Sequence, residues 1–162
     1  MSRTPLPYSP ILLDHFRHPR NQGPMEGADV VAKAGSPACG DMITFYLKVD
    51  AGRIAALNFE SYGCAANIGT ASYLTEMVMG KPLEEAWKAS WKQLSDDLGG
   101  LPKVKFHCGI LAVGAMRRAI RDYFAARPPV PGWIPSELTE EEKSALEEEE
   151  LAETIEVKLH KD

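Results

Sequence analysis

Met42–Ile43–Thr44–Phe45–Tyr46–Leu47–Lys48–Val49–Asp50–Ala51–Gly52–Arg53–Ile54–Ala55–Ala56–Leu57–Asn58–Phe59–Glu60–Ser61–Tyr62–Gly63–Cys64 decides the fold class. Ile43, Phe45, Leu47 and Val49 alternate with Thr44, Tyr46 and Lys48, the period-2 pattern of a half-buried strand. Asp50–Ala51–Gly52–Arg53 predicts a hairpin turn, and Ile54 to Tyr62 the returning strand, with Leu57 and Phe59 on one face. Gly63 ends that strand. From Ala65 to Met79 the pattern becomes helical, until Gly80 and Pro82 stop it.

Downstream, Leu83–Glu84–Glu85–Ala86–Trp87 begins another helical stretch. Ser90 is placed to N-cap a third, with Trp91, Leu94 and Leu98 on one side and Gly99–Gly100 closing it. A last body helix is predicted from about Cys108 to Ala126. Its expected buried stripe is Ile110, Val113, Ile120 and Phe124, with Arg117, Arg118 and Arg121 on the wetter side. Upstream, Ile11 to Phe16 reads as a short amphipathic helix stopped by Pro19, which leaves His15 and His18 as expected surface residues. Asn21–Gln22–Gly23–Pro24 is turn chemistry, followed by a weakly extended segment through Val30–Val31.

Past the body, Pro128 to Pro135 is a stiff proline-rich linker. Thr139 and Glu142 have capping-box spacing ahead of a Glu-rich helical segment. The apolar positions Leu138, Leu146 and Leu151 are too sparse for a stripe, so residues 136–162 are expected as an acidic, solvated helical or partly disordered tail, the alternative being an interaction arm that docks on a basic surface of this body or of a partner. The organisation is then a body over 1–127, a linker over 128–135 and the tail.

The net charge of −5 hides an asymmetry: residues 128–162 carry eleven acidic and three basic side chains, and residues 1–127 are mildly basic. With a pI near 5.4, general nucleic-acid binding has little support. No run approaches the roughly 18 apolar residues of a membrane span, and Met1–Pro10 has no apolar signal-peptide core. A cytoplasmic protein is expected. Three cysteines in 162 residues do not make a disulfide framework; in a reducing compartment they point to metal or thiol chemistry.

Each cysteine sits at a junction. Cys39 lies in Pro37–Ala38–Cys39–Gly40–Asp41, feeding the first clear strand; Cys64 follows Gly63 where strand becomes helix; Cys108 follows His107 at a helix start. At helix N-termini the dipole favours thiolate, the form that binds metal or attacks sulfur. Asp41, two residues past Cys39, can share its side, and His107 can face the same site at a helix entrance. Three sulfurs, an imidazole and a carboxylate can furnish the tetrahedral, sulfur-rich shell of Zn²⁺ or an iron–sulfur cluster.

Tyr8, His15–Phe16, Pro19–Arg20–Asn21–Gln22–Gly23, Pro37 to Asp41, Tyr62–Gly63–Cys64, Leu101–Pro102–Lys103–Val104–Lys105 and His107–Cys108 resemble, in order and spacing, the IscU/NifU-type iron–sulfur cluster assembly scaffolds over residues 8–126. The resemblance implies an α+β fold of IscU/SufU type: a small antiparallel three-stranded sheet with helices on one face. It implies a non-enzymatic scaffold that takes persulfide sulfur from a cysteine desulfurase, combines it with iron and holds a transient [2Fe–2S] cluster. That cluster then passes to apo-proteins. Cys39, Cys64 and Cys108 would be the cluster cysteines, with Cys108 the first persulfide acceptor. Asp41 would keep the cluster labile, His107 would be an exchangeable ligand, and Zn²⁺ could occupy the site in isolated protein. A frataxin-like protein, a ferredoxin and a cluster-bound homo-oligomer belong to the same implication.

Lys103 stands where the family segment read by an Hsp70-type chaperone has a second proline, which leaves that partner open. His107 before Cys108 and the short interval after Cys64 favour the IscU-like branch. The alternative is a zinc-binding sulfur-relay or regulatory protein of the same fold. A zinc deaminase has no support, since both His-x-Glu and Pro-Cys-x-x-Cys are missing.

Overall fold

In the computed structural model, residues 8–36 and 40–145 are described. Cys39 and the Glu-rich run from Leu146 onward lie outside the described residues. Strands β2 (Asp41–Asp50) and β3 (Arg53–Tyr62) form the hairpin that the alternation predicts. Ala51 (φ 51°) and Gly52 (φ 74°) make its two-residue turn with both residues left-handed, which matches the twist of the flanking strands. Phe45 faces Phe59 and Leu47 faces Leu57 across the ladder, and a bulge at Lys48/Val49 sits near the turn. Ile43, Phe45, Leu47, Ile54, Leu57 and Phe59 are all buried.

Strand β1 (Val30–Ser36) completes a three-stranded antiparallel sheet in the order β1-β2-β3. It runs well beyond the weakly extended segment expected. Its inward residues beyond Val30 are the small Ala32 and Ala34, opposite Phe45 and Ile43, so its alternation is muted in the sequence.

The helices cover the inner face. Helix α1 (Pro10–Arg17) is capped by the Ser9 hydroxyl, which accepts from the Leu12 N–H at 3.1 Å and donates to the Leu98 carbonyl. Helix α2 (Ala65–Val78) packs on β3 and receives α1 at Gly69, where a Cβ would come within 2.6 Å of Leu12 Cδ1. Helices α3 (Leu83–Trp87) and α4 (Trp91–Asp97) follow, the latter capped by Ser90 as predicted, its hydroxyl accepting from the Gln93 N–H at 3.1 Å. Helix α5 (Phe106–Ala125) lies along β1 and β2 and against α2 and α4.

Three expectations change. His15 is not a surface residue: α1 turns it onto α2, where it is buried, its Nδ1 2.8 Å from Ser72 Oγ and its ring edge-on to Tyr73. Burial, helped by nearby Arg20 and opposed by Glu76 and Asp14, holds its pKa below the ordinary value. The buried stripe of α5 is broader than predicted and includes Cys108, Leu111, Ala112, Ala115, Met116 and Ala119, while Ile110 and Phe124 are only half-buried.

The third correction concerns Arg117 and Arg121, which are not on a wet face. Residues 133–145 return across α5 and cover them, leaving the side chains 11% and 18% exposed. Trp133 stacks edge-on against Trp87 and Phe124, and Ile134 and Ala145 are buried. Residues 140–145 are helical and cross α5 at Gly114, where a Cβ would lie 2.4 Å from the Glu141 carbonyl oxygen. Arg117 pairs with Glu141 at 2.9 Å and Arg121 with Glu142 at 2.7 Å. Glu142 also closes the predicted capping box with the backbone N–H of Thr139 at 3.1 Å. Residues 133–145 therefore form a clasp docked on the body's arginines rather than a solvated tail, and the end of the expected linker is part of it. The anchors are Trp133, Ile134, Ala145 and two ion pairs, which a search for a leucine stripe does not detect.

Glu142 is 4% exposed, so removing it opens the cap and leaves Arg121 without its carboxylate, held by the Pro135 and Glu137 carbonyls. Breaking a buried pair and losing a cap should together lower stability by about 3 kcal/mol. Glu142→Ala should drop the thermal midpoint by roughly 6–12 °C, whereas the exposed Glu140→Ala should leave it in place; equal midpoints would show that the clasp contributes nothing.

Candidate metal centre

Three elements end at one corner of the molecule. Asp41 opens β2, next to the pair Met42 and Tyr62 that closes the β2–β3 ladder. Gly63 (φ 152°) turns the chain from β3 into α2, and Cys64 is the N-cap residue of that helix. A glycine is required at 63: a Cβ there would lie 2.2 Å from Asp41 Oδ1 and 3.1 Å from Asn67 Nδ2. From the other side, Leu101–Pro102 leads into a single 3₁₀ turn, Lys103–Lys105, that runs directly into α5. His107 and Cys108 fall in the first turn of α5.

The functional side chains meet as two pairs. Cys64 Sγ and Cys108 Sγ are 3.9 Å apart. His107 Nε2 and Asp41 Oδ2 are 3.5 Å apart. Lys105 reaches back to place its Nζ 3.5 Å from Cys64 Sγ. That sulfur is the main reason the lysine holds its proton more tightly than usual. The described residues thus bring together four of the five predicted site residues; the fifth, Cys39, lies outside them.

Burial separates the two thiols. Cys64 is half-buried, but Cys108 is 1% exposed. Its pKa is driven far above the ordinary thiol range, first by burial and then by the negative character of Cys64 and Asp41, which Lys105 only partly offsets. The helix-entrance argument for a Cys108 thiolate is therefore corrected. Helix α5 starts two residues earlier than expected, at Phe106, so Cys108 points into the core. Tyr8 borders the same corner, its pKa raised mainly by burial against the opposing pull of Lys105.

Among the described residues, no set of three or more His, Cys, Asp or Glu side chains is gathered closely enough to hold a metal ion. The arrangement is a thiol pair beside an imidazole–carboxylate pair. Soft and hard donors lie on the same corner, able to close on an ion or cluster brought to them. In the sequence Lys105 falls only within the Leu101–Lys105 motif segment, and Asn67 could equally line the site or pack beneath it. The signal for Lys105 was its place three residues before Cys108; for Asn67 it was the third helical position after Cys64.

A hairpin-based sheet with helices on one face and cysteines at its strand and helix ends defines a small metal- or sulfur-handling scaffold. The family model described as NifU-like N terminal domain matches residues 7–128, and the chain belongs to this IscU/NifU-type family. It is 51% identical over 117 residues to iron–sulfur cluster assembly scaffold protein IscU 1 of Archaeoglobus fulgidus, covering 72% of this chain and 76% of that one. It is 43% identical over 122 residues to the IscU scaffold protein of Haemophilus influenzae, covering 73% and 96%. A solved structure from Fervidobacterium islandicum, assigned to iron–sulfur cluster assembly in the SUF system, shares the fold. Its TM-score is 0.57 at 23% identity, covering 70% of this chain and 96% of that one. No helix among the described residues is long and apolar enough to cross a membrane.

The thiol asymmetry has a direct readout. In metal-free protein at pH 7.5, iodoacetamide should modify Cys64 at least about tenfold faster than Cys108, because the reactive species is an exposed thiolate. Peptide mass spectrometry along a time course would show it; comparable rates would mean that the first turn of α5 opens freely.

Proposed function

We propose that this protein is a scaffold on which a [2Fe–2S] cluster is assembled from iron and persulfide sulfur and then handed to apo-proteins. The cluster and its iron are cargo. The observation that carries this reading is the 3.9 Å separation of the Cys64 and Cys108 sulfurs. Two thiolates on one tetrahedral Zn²⁺, with metal–sulfur bonds of about 2.3 Å, lie about 3.8 Å apart. The resting fold therefore already holds two soft donors near chelating distance.

Cys39 would supply the third sulfur and Asp41 or His107 the fourth position. Permanent [2Fe–2S] sites are normally held by four cysteines; three plus a carboxylate or imidazole make a weaker cage, suited to release. The His107–Asp41 contact adds a competitor. Either side chain must leave the other to bind the cluster, and releasing the cluster restores their contact. The same donors would accept Zn²⁺ in isolated protein.

Sulfur would arrive from a cysteine desulfurase as a persulfide. The Cys108 thiolate attacks the outer sulfur, the donor's S–S bond breaks, a new S–S bond forms on Cys108, and the donor leaves as a thiolate. Two electrons from a reductant, a role suited to a ferredoxin, then convert that sulfur to sulfide. Because Cys108 is buried, delivery requires the first turn of α5 to open. The greater exposure of Cys64 and its contact with Lys105 favour a second reading, in which Cys64 takes the sulfur first. Desulfurase, frataxin-like protein and apo recipients are the proposed partners, and the cytoplasm the proposed location.

Anaerobic incubation with a desulfurase, cysteine, ferrous iron and dithiothreitol should give a visible-absorbing cluster. Cys108→Ser should accept at least about tenfold less persulfide sulfur than the parent, the loss expected when the attacking thiolate is removed. Absence of colour sinks the scaffold reading; loss of acceptance in Cys64→Ser instead moves the first acceptor to Cys64. In a second experiment, Asp41→Ala should lengthen the cluster's lifetime against a chelator by about tenfold, equivalent to ~1.4 kcal/mol. An unchanged or shortened lifetime would remove Asp41 from the release step.

A further inference from the structure

Asn67 is fully buried in the first turn of α2, directly behind the corner that carries Asp41, Gly63 and Cys64. Its Nδ2 lies 2.7 Å from Ser61 Oγ, 3.2 Å from the Met42 carbonyl and 3.4 Å from the Tyr62 carbonyl. The amide has two hydrogens for these three acceptors. Its orientation is fixed by the partners: turned over, an oxygen would face two carbonyls that cannot donate. The Oδ1 atom is buried without a hydrogen-bond partner.

Met42 and Tyr62 are the cross-strand pair that closes the β2–β3 ladder at this end. Asp41 precedes the first, and Gly63–Cys64 follow the second. A single side chain therefore bridges the last rung of the sheet to the helix whose N-cap is Cys64. The close fit at Gly63 puts Asn67 Nδ2 and Asp41 Oδ1 over the same α-carbon.

Filling space alone would not call for an amide here. An unpartnered buried oxygen costs about 1–3 kcal/mol, and leucine has nearly the same branched shape without that cost. What the amide adds is the direction of its N–H groups. We infer that Asn67 is a positioning residue, clasping the ends of β2 and β3 so that the Asp41 carboxylate and the Cys64 thiol stand in fixed relation. The inference rests on the scaffold reading for its consequence, that cluster release through Asp41 depends on this clasp, but not for the clasp itself.

Two measurements on the full chain separate these parts. In metal-free protein, amide hydrogen exchange at Ile68, whose N–H donates to the Cys64 carbonyl at 3.2 Å, should rise at least about tenfold in Asn67→Leu, while Phe45 and Phe59 in the ladder centre stay within about twofold of the parent. Ser61→Ala, which removes only the shortest bond, should shift the same amide by a few-fold and guards against a misfolded leucine variant. No change, or an equal rise throughout the sheet, overturns the inference.

In protein loaded with iron and sulfide, Asn67→Leu should lengthen cluster lifetime at least about threefold, toward the Asp41→Ala value, yet add nothing in the Asp41→Ala background. Equal effects in both backgrounds would mean a general structural role and overturn the link to Asp41. If the parent takes up no cluster, the scaffold reading fails, and the exchange data still decide whether the clasp exists.

Discussion

The burial of α5 on the inner face of the sheet is the constraint from which the rest follows. Ala112, Ala115 and Ala119 keep the helix close to β1, β2 and its helical neighbours, and Gly114 lets the 140–145 segment pass with its backbone almost touching. A helix covered on nearly every side can end at the site only with its first turn. There, His107 still looks outward, and Cys108 is drawn against the core. The chemistry of the corner is thus set by packing: one thiol half-buried, the other buried with its pKa pushed up, 3.9 Å apart.

Under the scaffold role proposed above, that asymmetry suits a protein that releases what it binds. A fully preformed four-thiolate cage would trap a cluster, and four unpaired charges at one corner would repel one another in the empty fold. Here, among the described residues, the candidate donors at the corner face one another in the metal-free fold. Asp41 contacts His107, Lys105 contacts Cys64, and the Cys108 proton is retained. In the proposed role, each contact is one that cargo would replace, so loading and emptying would exchange interactions of similar kind.

The C-terminal clasp extends the same logic away from the site. The family match ends at residue 128, yet residues 133–145 bury Ile134, Ala145 and two arginine–glutamate pairs against α5 and α3. Arg117 and Arg121 lie against the face of Trp87, so the cations are held by an aromatic ring as well as by carboxylates. This fastening grips α5 from Gly114 to Phe124, beyond the first turn that carries Cys108.

How much of this was legible in the chain depended on the range of the interactions. The β2–β3 hairpin, the Ser90 cap and the Thr139–Glu142 box are written in neighbouring residues, because period-2 alternation, turn chemistry and capping act over only a few positions. The site residues could be nominated the same way, from cysteines at junctions and from their motif spacing. What the sequence could not determine were matters settled by distant residues. The burial of His15 comes from α1 lying on α2, and that of Arg117 and Arg121 from a segment some twenty residues further on. The burial of Cys108, which pushes its pKa up, and the grip of Asn67 on the ends of two strands are likewise products of tertiary contact. Local sequence determined which elements form and which donors are available; only the packing of those elements decided which donors meet, which are buried and which proton each one keeps, since desolvation and charge act through space and not along the chain.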